Sequence, residues 1–144
     1  MQLENSTMIG KKHRELLVWQ KAMRLVVAVY DLVRRLPKEE NYGLSDQMRR
    51  AAISIPSNIA EGNARCSVKD MAHFFYIAQG SRAELETQLE LCQLIGYIPQ
   101  QELQSTFLQT QEVGRMLSGL IKSTLQQDVK HQPRDSQLPI ISNV

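Results

Sequence analysis

At 144 residues the chain has room for one domain with a sizeable core. With 42% hydrophobic and 22% charged residues it has the composition of an ordinary folded protein, and no apolar run approaches the ~18 residues of a membrane span. A net charge of +2 is too small to announce nucleic-acid binding by itself, while 6% aromatic content and few β-branched runs lean towards helix.

The charge is uneven. Residues 1–65 carry 11 Lys/Arg against 7 Asp/Glu, and residues 66–144 carry 6 against 8, so the first half is the basic one. Cys66 and Cys92 are the only cysteines and have no C-x-x-C spacing. The N-terminus lacks the apolar segment of a signal peptide. The expectation is a cytoplasmic protein with two reduced thiols and no membrane association.

Residues 1–15 have no periodicity and contain the basic cluster Lys11, Lys12, His13, Arg14; they read as a flexible leader. A first helix is predicted over 16–36. Its apolar residues, from Val18, Trp19, Ala22 and Met23 through to Leu36, cover half the circumference, wider than the ~100° stripe a single core contact needs. Two uses fit that width. It wraps a large intramolecular core, or Val18, Leu25 and Leu32, spaced by seven, form a seam for a second subunit.

Pro37 ends this helix, and the short segment PKEENYG returns the chain antiparallel. The second helix, over 44–62, holds Leu44, Met48, Ala51, Ala52, Ile55 and Ile59 on one face. Beside it runs a polar stripe, Gln47, Arg50, Ser54, Ser57, Asn58, Glu61, with the composition of a network more than of a solvated face. Pro56 sits inside the helix, removing an N–H bond to the Ala52 carbonyl at a cost of about 3 kcal/mol unless the surroundings compensate.

The third helix starts at Ser67 with Asp70 three residues on, a capping-box spacing, and runs to Ile95 before Gly96. Its inward stripe reads Met71, Phe74, Ile77, Ala78, Ser81, Leu85, Gln88, Leu89, Cys92, with Glu84 on the edge. Gly80 in mid-helix signals the close approach of another backbone. After the turn GYIP a fourth helix carries an unbroken three–four pattern from Leu103 to Thr124 and ends near Gln127; residues 128–144 read as a disordered tail. Residues 16–127 therefore form an all-α, up-down-up-down antiparallel four-helix bundle.

Little catalytic chemistry is on offer. His13, His73 and His131 fall in the leader, on an outer arc and in the tail, and there is no phosphate loop, nucleophile elbow or His-Glu-x-x-His. No Glu-x-x-His pair exists for a bundle metal site, so no metal and no cofactor are expected. The strongest anomaly is an interior polar network, Arg50, Ser54, Asn58 and Glu61 facing Ser81, Glu84 and Gln88. A buried Arg must pair, because an isolated buried charge costs several kcal/mol. The network fixes helix register and meets the carbonyl freed by Pro56, or it contacts a ligand. Candidate phosphate contacts are Arg34, Arg35, Lys38 and Arg49 near one end of the bundle, and Arg65 and Lys69 near the other, with Lys11, Lys12 and Arg14 beside them.

The segments LLVWQKAMRLVVAVYDLVRRLP, YGLSDQMRRAAISIPSNIAEGNAR, FFYIAQGSRAELETQLELCQLIGYI and EVGRMLSGLIKSTL, in this order, resemble the four-helix-bundle proteins encoded by intervening sequences of bacterial large-subunit ribosomal RNA genes. The resemblance covers about Leu16 to Leu125. It implies a homo-oligomer, a pentameric ring of bundles, without known enzymatic activity. A more distant similarity is to the accessory protein of diversity-generating retroelements, a basic barrel that binds a reverse transcriptase and nucleic acid. The family signature falls on Arg50, Pro56, Asn58, Glu61, Gly62, Gly80, Ser81, Glu84 and Gln88. Pro99 departs from the pattern, which usually has a polar cap there, and residues 128–144 lie outside it. The resulting expectation is a non-enzymatic, self-associating bundle that binds structured RNA or DNA through basic surfaces. The alternative is a protein-binding adaptor with no direct nucleic-acid role.

Overall fold

The computed structural model describes residues 12–131, which contain helices and turns and no strand. α1 spans Leu17–Val33, α2 Leu44–Asn63, α3 Val68–Ile95 and α4 Gln100–His131, with short 3-10 turns at His13–Glu15 and Lys38–Glu40. Each helix packs on its neighbours in the chain and α1 closes the bundle on α4, leaving α1 and α3 at diagonal corners. Lys21 of α1 pairs with Glu112 of α4 at 3.1 Å and Arg35 pairs with Glu102, which sets the antiparallel register. At 1.5 Å per residue α4 is about 48 Å long and α1 about 26 Å, so the C-terminal turns of α4 run past the start of α1.

Local chemistry explains the boundaries. α1 stops three residues before the predicted end because Pro37 disfavours α geometry ahead of it. The last turn tightens instead, with Arg35 N–H on Leu32 O at 3.0 Å and Leu36 N–H on Val33 O at 3.1 Å. Ser67 Oγ accepts the Asp70 N–H at 3.1 Å, and Gly96, at φ 89°, closes α3 in a Schellman motif with Tyr97 N–H on Cys92 O at 2.9 Å. α2 runs through Pro56 unbroken.

The leader ends earlier than predicted. His13–Glu15 form a turn and Leu16 is buried in the core. α4 in turn continues to His131, four residues beyond the predicted end. The rest of the predicted flexible leader, 1–11, and of the predicted tail, 132–144, lies outside the described residues.

The core is built on Leu25, Val29, Met48, Ile55, Ile59, Phe75, Leu85, Leu89 and Leu117, each contributing about 1.5–3 kcal/mol by burial. Two expectations are corrected. On α3 the deeply buried ring is Phe75, while Phe74 is half-buried and Ile77 exposed, because this helix must serve α4 as well as α2 and its buried face turns towards both. On α1, Val18, Leu25 and Leu32 are buried inside the subunit and form no exposed seam. The outer part of the wide apolar arc is Met23, Val27 and Tyr30, which are 43%, 63% and 37% exposed. Cys92 is plain core: its Sγ lies 3.5 Å from Met48 Sδ, and burial pushes its thiol up to about 11.

Candidate nucleic-acid interface and the polar seam

Between α2 and α3 the expected network forms only in part. Ser54 Oγ and Ser81 Oγ are 2.8 Å apart, and the Asn58 amide donates to Ser54 O at 2.7 Å and to Ser54 Oγ at 2.9 Å. That amide meets the carbonyl of Ser54, two residues on from the one that Pro56 leaves without its N–H. Gln88 is buried, with its amide nitrogen 3.4 Å from Glu84 and its oxygen without a partner among the described residues.

Arg50 is not part of the interior. Its side chain is 79% exposed and pairs with Asp46 at 2.8 Å, one turn back on the same helix. A carboxylate four residues away holds the guanidinium without desolvating it, so burial gains nothing. Glu61 likewise turns out to Arg65 at 2.8 Å, and Glu84 is exposed. The interior set is therefore Ser54, Asn58, Ser81 and Gln88.

A second polar cluster, between α3 and α4, escaped sequence reasoning. Arg82 is half-buried. Its Nε donates to Gln79 Oε1 at 3.1 Å and its Nη1 pairs with Glu86. Gln79 donates onward to Gly114 O at 3.0 Å and Ser118 Oγ at 2.9 Å. A Cβ at position 114 would stand 2.8 Å from Arg82 Nε, so the glycine makes room for the guanidinium. The legible signal was Gly114 on the inward stripe of the last helix opposite an i, i+4 Arg–Glu pair.

The two ends of the bundle treat their cations differently. The distal end holds the α1–α2 and α3–α4 connections. There Arg34 pairs with Asp31 at 3.2 Å, Arg35 with Glu102, and Arg49 donates to the Asn41 carbonyl at 3.2 Å. Only Lys38 of the four candidates lacks a partner among the described residues, and the carboxylates of this end, Glu39, Glu40 and Asp46 among them, match its cations in number. Glu40 is also a clasp: it accepts the Leu44 N–H at 2.9 Å and the Tyr97 hydroxyl at 2.8 Å. These two bonds, the backbone one first, hold its carboxyl below the usual carboxylate range, and the same contact raises the Tyr97 phenol.

The proximal end gathers the start of α1, the α2–α3 turn and the end of α4. Among the described residues, Lys12, Arg14, Arg65, Lys69, Lys122 and Lys130 share it with only Glu15, Glu61, Asp70 and Asp128. Arg65 pairs with Glu61 and lies over the Phe74 ring at 4.6 Å, while the His73 ring meets the same ring edge-on at 5.4 Å. Lys69, Lys122 and Lys130 have no carboxylate partner among the described residues. Of the predicted contacts, Arg65 and Lys69 thus stand in a net basic field, and Arg34, Arg35 and Arg49 do not. Among the described residues no three His, Cys, Asp or Glu side chains gather where they could hold a metal ion. No described helix is long and apolar enough to cross a membrane.

The model of the family described as 23S rRNA-intervening sequence protein matches residues 14–119. The chain belongs to this family. A crystal structure at 1.70 Å of a protein with unknown function from the S23 ribosomal protein family of Bacteroides thetaiotaomicron VPI-5482 is similar to it, with a TM-score of 0.69 and 27% identity over 74% of this chain and 99% of that one. No curated protein matches the chain. The family match takes in α1, α2, α3 and most of α4, and stops before the C-terminal turns that project past α1.

Proposed function

We propose that the chain is a non-enzymatic, self-associating bundle of the cytoplasm that holds RNA or DNA on repeated basic ends. The observation that supports this reading best is the exposed apolar face of α1, Met23, Val27 and Tyr30, which points away from the subunit core. A second exposed set, Leu91, Leu94 and Ile95, lies on α3 at the diagonal corner. Two different apolar faces on opposite corners favour head-to-tail contacts, which close into a ring when the rotation between copies closes. Charge supports the pairing. Arg24 flanks the α1 face, where Arg34 is already paired with Asp31, while Glu84 and Glu90 flank the α3 face. A ring repeats each basic proximal end, so weak phosphate contacts act together through effective concentration. A pentamer is the stoichiometry that the family resemblance suggests.

The second reading is a protein-binding adaptor that docks a partner such as a reverse transcriptase, with nucleic acid incidental; the extent of exposed apolar surface favours it. Salt separates the two, since phosphate binding weakens steeply with ionic strength and apolar docking does not. The assembly is tested by light scattering on wild type and on Val27→Glu/Tyr30→Glu. Wild type is expected as an oligomer and the variant as a monomer with an unchanged helical spectrum. A wild-type monomer at tens of micromolar protein overturns the reading.

A further inference from the structure

An outward groove between α3 and α4 at the proximal end encloses about 600 Å³, the range of small-ligand sites. Its apolar floor is the buried Ile121, with the exposed Leu125 and Val129 beside it along α4, and Tyr76 forms the α3 wall. Tyr76 is 55% exposed, and Lys122 lines the α4 side. Lys69, two turns before Tyr76 on α3, and Lys130, one turn after Gln126 on α4, share the helix faces of lining residues beyond its proximal edge.

Resting on the nucleic-acid reading above, we propose that this groove takes a single-stranded segment, with an unpaired base against Tyr76 and the neighbouring phosphates on Lys69, Lys122 and Lys130. Three observations converge on that occupant. Lys122 lines the groove without a carboxylate partner among the described residues, and Lys69 and Lys130 follow on the same helix faces, whereas the arginines of the distal end are paired. An exposed aromatic ring stands among them, and aromatic stacking with rim cations is how sequence-tolerant single-strand sites are built. The apolar floor offers nothing to a phosphate, and a duplex keeps its bases stacked out of reach, so only a splayed base can use it. Gln126, on the same wall as Lys122 and without a partner among the described residues, has an amide to offer a base edge. Gln79 and Ser118 are already committed to each other and to Gly114. On the α4 side, Ile121, Lys122, Leu125, Gln126 and Val129 lie beyond the residues that the family model matches, while Ser118 lies within them.

The experiment is fluorescence anisotropy on the full chain with a labelled single-stranded oligouridylate and with an RNA duplex of equal length, across a salt series. A parallel arm photo-cross-links a 5-iodouridine strand and maps the adduct by mass spectrometry. The single strand is expected to bind more tightly than the duplex and to cross-link at Tyr76. Tyr76→Ala should lose about ten-fold in affinity, the typical effect of removing one stacking ring, and Tyr76→Phe should retain it. Lys69→Glu/Lys122→Glu should weaken binding further and flatten its salt dependence, while Arg34→Glu/Arg35→Glu leaves it unchanged. Binding that is indifferent to Tyr76→Ala, equal for duplex and strand, or lost only on reversing Arg34 and Arg35 overturns the groove and leaves the nucleic-acid reading standing. Absence of binding by either RNA at low salt overturns both, and a salt-indifferent peptide ligand in the groove assigns it to the adaptor reading instead.

Discussion

The distal and proximal ends are made from similar numbers of charged residues and spend them in opposite ways. At the distal end each candidate arginine has an oxygen to hold, the Glu40–Tyr97 clasp ties one connection to the other, and Ile98 of the α3–α4 turn is buried. At the proximal end the stabilising contacts are apolar, with Phe75 packed against Gly62, and the lysines reach out unpaired. Polar bonds hold one end together; packing holds the other, where Lys69, Lys122 and Lys130 have no carboxylate partner among the described residues. A surface cation is a candidate for binding only if the fold has left it without another use.

Breaking the packed end should have the largest effect. Phe75 is fully buried, and Phe75→Ala should cost about 3–5 kcal/mol in chemical denaturation. Gly62→Ala would put a Cβ 2.7 Å from Phe75 Cε1 and 3.1 Å from the Met71 carbonyl oxygen, which ring and backbone relieve only by shifting, at about 1–3 kcal/mol. The two changes share one space, so the double variant should cost less than the sum of the singles. Full additivity would mean that Gly62 and Phe75 do not pack as described.

The distal clasp should matter less, and in a pH-dependent way. The Glu40 carboxyl is held below its ordinary range in the folded state, so its contribution is present above the unfolded carboxylate range and lost as pH falls through the folded value. The Tyr97 phenol is raised, so its contribution is present below the ordinary phenol range and lost as pH rises through the folded value. Tyr97→Phe should therefore lower the melting temperature at neutral pH, and the gap to wild type should close at acid pH. A gap that stays constant on acidification would show that the lost hydroxyl acts on something other than the Glu40 carboxylate.

The four helices were legible because their stripes, the Ser67 cap and the Gly96 terminator are local signals, each set by a few neighbouring residues. Ser54, Asn58 and Ser81 were legible as a set because short polar side chains on a helix edge have few other uses. What misled was ambiguity about which way a side chain turns. Arg50 shares the helix edge of Ser54 and Asn58, yet a carboxylate four residues back holds it outside. Val18, Leu25 and Leu32 repeat by seven just as a seam would, and that spacing serves an internal core equally well. Phe74 and Phe75 are adjacent, and only the position of a fourth helix decides which ring goes in. The Tyr76 groove left no trace, because its lining comes from α3 and α4 together and their relative register is a long-range property.

Gly80 supplies the smallest effect. It lies in mid-α3, away from the contacts of either end, and its place in the sequence suggested a backbone packed closely on it. Within the subunit a Cβ at this position meets nothing within 4 Å. No intramolecular contact therefore opposes a side chain, and alanine is the better helix former by about 1 kcal/mol. Gly80→Ala should raise stability by up to that amount in denaturant unfolding at low protein concentration, where the proposed self-association would not contribute. The same variant in light scattering then probes the outer face of α3. Unchanged assembly leaves Gly80 a bystander; a variant that is more stable yet less associated would place a neighbouring subunit's backbone on this glycine. A loss of stability at low concentration would mean that something within the subunit already occupies the space, contrary to the open face described here.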